Sequence, residues 1–149
     1  MCSSDLWPRE WSGEERHRAY GWCHGAPGLL MGAVSAVRHV PDAFPADRLA
    51  RLAELTLERG FGNNTTYCHG DLGSLETVLL AEQVAPGLFG DGADGLYPRL
   101  FTEVVERYSE RADTKYTYSH GIMLGQSGLL WSVLRHLDPL TYPSIVRLA

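Results

Sequence analysis

Cysteine and histidine stand side by side twice in this chain of 149 residues, as Cys23-His24-Gly25 and Cys68-His69-Gly70. Thiolate and imidazole are donors that zinc prefers, and two thiolates with one imidazole fill three of its four tetrahedral positions. The fourth position then stays open to an exchangeable ligand, the arrangement of a reactive centre rather than a closed scaffold. The expected ligands are Cys23, Cys68 and His69. Such an electron-rich set is a modest Lewis acid, better suited to activating an incoming thiol than to polarising a peptide carbonyl. Activation matters because a free thiol, with a pKa of about 8.5, is only a few per cent ionised near neutral pH. His24 has two open readings: fourth ligand of a closed structural site, or proton donor and substrate contact beside an open one.

Ligands so far apart in sequence need elements that bring them to one point. The glycine of each triplet opens a Gly-x-x-Gly loop, Gly25-Ala26-Pro27-Gly28 and Gly70-Asp71-Leu72-Gly73, and each loop runs into an apolar helix. A third loop, Gly125-Gln126-Ser127-Gly128, repeats the pattern without the ligands. Apolar residues at helical spacing predict helices over residues 29–40, 46–59, 74–84, 97–111 and 128–137, with Ser74 as an N-cap. The first, third and fifth carry one or two charges each, the second and fourth six each. Helices apolar nearly all round belong inside and helices with a charged face outside, so the order reads inner, outer, inner, outer, inner. Loops starting at 25, 70 and 125 give periods of 45 and 55 residues, the sign of a solenoid or ring of helical hairpins. In either, the inner-helix N-termini share one side and both triplets face a common centre. Helix N-termini favour anions, which suits thiolate ligands.

Composition narrows the classes. A formal charge of −5 argues against a nucleic-acid surface, and no apolar run is long enough to span a membrane. The first residues lack the apolar stretch of a signal peptide, so a cytoplasmic location is expected. Three cysteines (Cys2, Cys23, Cys68) are too few and too odd in number for a disulfide framework. His120 sits near where a third triplet would fall, with serine in place of cysteine, and reads as a loop residue. His17, His39 and His136 read as surface residues, and Trp22, Tyr67, Tyr116 and Tyr118 as wedges packing the loops. The Gly-rich loop holding Asp91 and Asp94 does not match a calcium-binding pattern.

Trp22-Cys23-His24-Gly25-Ala26-Pro27-Gly28 and Cys68-His69-Gly70-x-x-Gly73 resemble the two zinc motifs of the lanthionine synthetase C-like family. The stretch Gly121-Ile122-Met123-Leu124-Gly125-Gln126-Ser127-Gly128, followed by Pro143-Ser144-Ile145, resembles the C-terminus of class II lanthipeptide synthetases. The resemblance implies an all-α fold, an α/α-toroid of inner and outer helices with zinc at its centre. It implies addition of a peptide cysteine to dehydroalanine or dehydrobutyrine in a ribosomally made precursor peptide, forming a thioether ring. It carries Cys23, Cys68 and His69 over as zinc ligands and places His24 at a variable position beside the first. Two departures accompany it. The family's upstream Asp and His precede anything in this chain, and Ala19 stands where some members carry an arginine. Five helices fall short of a closed ring, and no dehydratase is present. The expectation is therefore a partial toroid: residues 1–20 a divergent or truncated start, residues 21–149 the C-terminal part of a cyclase, with the missing N-terminal cyclase or dehydratase portion as a partner. Two rivals remain, a glutathione- or thiol-binding relative and an inactive repeat with a structural zinc site.

Overall fold

The computed structural model describes residues 20–90, 95–110 and 120–146. Cys2, His17, Ala19, Asp91, Asp94, Tyr116 and Tyr118 lie outside the described residues. Five α-helices follow a short 3-10 turn at Trp22–His24: α1 (Ala26–His39), α2 (Ala46–Arg59), α3 (Asp71–Val84), α4 (Leu96–Glu110) and α5 (Gln126–Leu137). Among the described residues there is no strand, so the chain is all-α as expected.

The helices stop where local chemistry says they must. Val40, before Pro41, leaves α1 in an extended conformation. Gly60 closes α2, donating its N–H to the Thr56 carbonyl at 2.8 Å. Starts are less faithful to the apolar period: α1 begins at Ala26 rather than 29, α3 at Asp71 rather than 74, and α5 at Gln126 rather than 128. The cause is shared. The second glycine of each Gly-x-x-Gly lies inside the first helical turn, where an apolar pattern cannot register it. Ser74 is consequently no N-cap; its hydroxyl is buried and donates to the Gly60 carbonyl at 2.7 Å, tying α3 to the end of α2.

Burial sorts the helices. In α3, ten of fourteen residues are buried, Asp71 through Val78 without a break, so α3 is the axis on which the others pack. It contacts α1, α4 and α5, while α2 covers α1. Leu30, Val34, Leu72, Leu75 and Val78 form the centre of the core, and Leu49, Leu52 and Ala53 seat α2 on it. Removing each such side chain from water contributes roughly 1.5–3 kcal/mol. The Thr77 hydroxyl, completely buried, lies 3.1 Å from both the Pro27 and the Gly73 carbonyls and joins the first turns of α1 and α3.

α5 departs from its expected inner character. Only Gly128, Ser132 and Arg135 are buried, and Leu130 and Leu137 are exposed, because α5 lies against α3 and the edge of α4 with its other face uncovered by the described residues. Its single charge, Arg135, meets Glu76 of α3: Nε lies 2.5 Å from Oε1, with both side chains buried. Arg135 also donates to the Tyr142 carbonyl at 2.6 Å, drawing the segment after α5 back onto the core. His136 is no surface residue. Its ring stacks on Phe101 at 4.0 Å between centroids, its Nδ1 is buried, and it fills the seam between α4 and α5.

Candidate metal centre

The three Gly-x-x-Gly loops are built alike. Gly25, Gly70 and Gly125 each cap a helix N-terminus in extended conformation. The second glycine lies against the carbonyl six positions earlier: a Cβ on Gly28 would run into the Trp22 oxygen, on Gly73 into that of Tyr67, and on Gly128 into that of Ile122. Close backbone approach, not turn geometry, requires glycine there. The loops are also stitched to one another. Cys23 donates its N–H to the Cys68 carbonyl (3.0 Å), and Cys68 donates to the Met123 carbonyl (3.1 Å).

That stitching fixes the register of the third loop. Met123-Leu124-Gly125 occupies the place of Cys-His-Gly, so the third counterpart of the triplet is not His120, which is exposed and whose carbonyl accepts from Ser127 Oγ at 2.6 Å. Of the three loops, only the first two carry thiol and imidazole donors. There the donor atoms of Cys23, Cys68 and His69 all lie within 4.8 Å of one another. Two sulfurs bound 2.3 Å from a tetrahedral ion stand ~3.8 Å apart, so little adjustment separates this arrangement from a coordination shell. Cys23 is exposed and Cys68 and His69 are half-buried, so the cluster faces solvent on one side.

Local bonds hold His69 and Cys68 in place. Asn64 accepts at Oδ1 from the Thr66 N–H (3.0 Å) and hydroxyl (2.6 Å), and its amide nitrogen donates to the His69 carbonyl at 3.3 Å. The Asp71 N–H donates to the Asn64 carbonyl at 2.6 Å, closing the loop. The Asp71 carboxylate is fully buried, 2.5 Å from Arg107 Nη1, and accepts from the Asn63 N–H. Burial pushes that carboxyl above its usual range, while the Gly62 and Asn63 N–H groups and Arg107 pull it back. Gly21 presses on the backbone of His69, where a Cβ would collide, and so seats the first loop on the second. Tyr67, also fully buried, packs its ring edge near Gly128; burial pushes its phenol up.

The bracing residues Asn64, Asp71, Arg107 and Gly21 escaped the sequence reading. Asn63-Asn64-Thr65-Thr66 is a run of turn formers whose side chains bond nearby backbone, and that signal was available. Arg107, thirty-six residues from Asp71, gave none.

His24 stands outside the mutual cluster. Its Nδ1 lies 2.7 Å from Cys23 Sγ, and its ring sits edge-on to that of His69, 6.3 Å between centroids. Both Cys23 and His24 line a pocket beside the cluster. The arrangement therefore offers three soft donors, one open side, and an imidazole at the rim. Set against known proteins, residues 1–147 match a family model described as lanthionine synthetase C-like protein. Neither the curated proteins nor the solved structures yield a match. No helix among the described residues is long and apolar enough to cross a membrane.

Proposed function

Since the chain belongs to the lanthionine synthetase C-like family, we propose that it bears the zinc centre of a thioether-forming cyclase acting on a ribosomally made peptide, its helices forming part of an α/α-toroid. The observation that carries the reading is the convergence of Cys23, Cys68 and His69 from two separate hairpins to within 4.8 Å. Two thiolates and an imidazole are the donors zinc takes, and three of them leave a place for a fourth. When bound, the ion supplies a Lewis acid that keeps a peptide cysteine deprotonated yet nucleophilic near neutral pH.

The chain's own residues do the rest. Cys23, Cys68 and His69 hold the ion; the Asn64 loop and Gly21 fix their spacing before substrate arrives, which is pre-organisation. In the reaction the sulfur forms a bond to the β-carbon of a dehydroalanine or dehydrobutyrine as the carbon–carbon π bond breaks. The thiol proton leaves to solvent, and a proton returns to the α-carbon, so peptide mass is unchanged. His24, on the rim beside Cys23, is assigned the return of that proton, a role worth typically 10²–10⁴-fold in rate.

The test uses the zinc-loaded chain and a peptide holding one cysteine and one dehydroalanine. The expected result is loss of one alkylatable thiol at constant peptide mass, with His24→Ala slower at unchanged zinc content. No loss of thiol above the buffer rate would overturn the proposal.

A further inference from the structure

Beside the donor cluster lies a pocket of about 390 Å³ whose lining includes Trp22, Leu29, Met31, Gly32 and Val146, together with Cys23 and His24. Among the described residues, no Asp, Glu, Lys or Arg lines it. Trp22 brings its ring with the indole N–H already spent on the Met31 sulfur, 3.2 Å away. Val146 arrives from the segment after α5, which Arg135 holds through the Tyr142 carbonyl and Trp131 through the Pro143 carbonyl (3.0 Å). A concave, mostly apolar site with few polar groups is the ordinary form of a ligand pocket, and this one is near the small end of the range.

We propose that this pocket receives an uncharged, apolar side chain flanking the cysteine that reacts, so that the centre selects among the cysteines of a peptide by their neighbours. The inference rests on the proposed function for what occupies the cluster. Continuity argues for this occupant: Cys23 belongs to both the donor set and the pocket lining, so a peptide whose sulfur reaches the cluster lays its adjacent residue along α1. A charged neighbour there would lose water without gaining a partner, and would be disfavoured. Gly32 is the lining position at which bulk can be added without a clash, since a Cβ there meets no atom within 4 Å.

The experiment loads the full chain with Co²⁺ and titrates it with blocked dipeptides, Cys-Leu, Cys-Ala and Cys-Asp, reading affinity from the thiol-induced change in the visible spectrum. Cys-Leu is expected to bind about tenfold tighter than Cys-Asp. Gly32→Leu should bring that ratio to about one, and Leu29→Lys, at an already exposed lining position, should lower it independently by removing apolar surface and pairing with the aspartate, if Gly32→Leu disturbs the helix. Equal affinities for the three dipeptides in the wild-type chain would overturn the pocket assignment while leaving the function standing. No spectral response to any thiol would instead overturn the proposed function, and this inference with it.

Discussion

The loops entering α3 and α5 share a backbone and differ in what they carry. Both are capped by an extended glycine, both press a second glycine against the carbonyl six residues back, and Cys68 and Met123 sit in matched places along the stitched backbone. Yet one presents Cys-His and the other Met-Leu. The comparison teaches that Gly-x-x-Gly in this chain is a device for seating a helix N-terminus against the preceding backbone, whether the helix is buried like α3 or half-exposed like α5. The thiol and imidazole donors are an addition that two of the three copies carry.

Breaking the architecture should cost most. Arg135 anchors α5, and with it the third loop, to Glu76; Arg135→Met leaves a buried carboxylate alone, at about 3–5 kcal/mol. The midpoint of thermal unfolding should fall by about 6–20 °C, at about 2–4 °C per kcal/mol for a chain this size. Replacing Glu76 and Arg135 together with apolar residues should recover most of that loss. A smaller effect separates seating from chemistry. Gly73→Ala and Gly128→Ala both drive a Cβ into a carbonyl oxygen, and each should lose roughly 1–3 kcal/mol by urea denaturation. The two losses should be similar although only one loop carries donors. A large cost at Gly73 with none at Gly128 would mean that the loops are not equivalent.

Smallest in stability, and sharpest in chemistry, is the pair His69→Ala and Leu124→Ala, at matched positions before the capping glycine. Leu124 is exposed, so its loss should change stability by no more than about 0.5 kcal/mol and leave metal content as it was. His69→Ala should cost the zinc. If both variants kept zinc equally, the difference drawn between the loops would be without consequence.

Much of this was legible in the sequence. Thiol and imidazole types singled out Cys23, Cys68 and His69, which the fold brings together, and the apolar period placed five helices, although the charge count read α5 as inner and it is not. What stayed hidden has physical causes. Helix starts were displaced because a glycine buried by backbone contact, such as Gly73, leaves no apolar mark. The place of a third triplet reads near His120 in the sequence, although the third loop itself is found correctly, because the true counterpart, Met123-Leu124, has no donor to recognise. Glu76 and Arg135 were visible as two of the few charges on apolar helices, a pattern that asks for a partner. Their meeting across fifty-nine residues belongs to packing and could not be read. His136 was misjudged for a similar reason: its position near a helix end suggested solvent, but Phe101 of α4 folds over it.

The most direct test is zinc stoichiometry, measured with a chromogenic chelator on the wild-type chain and on Cys23→Ala and Cys68→Ala. One tightly held zinc per wild-type chain, and none in either variant at unchanged helical content, is the predicted result. Retention of that zinc in either variant would contradict the claim that donors from both hairpins share one ion.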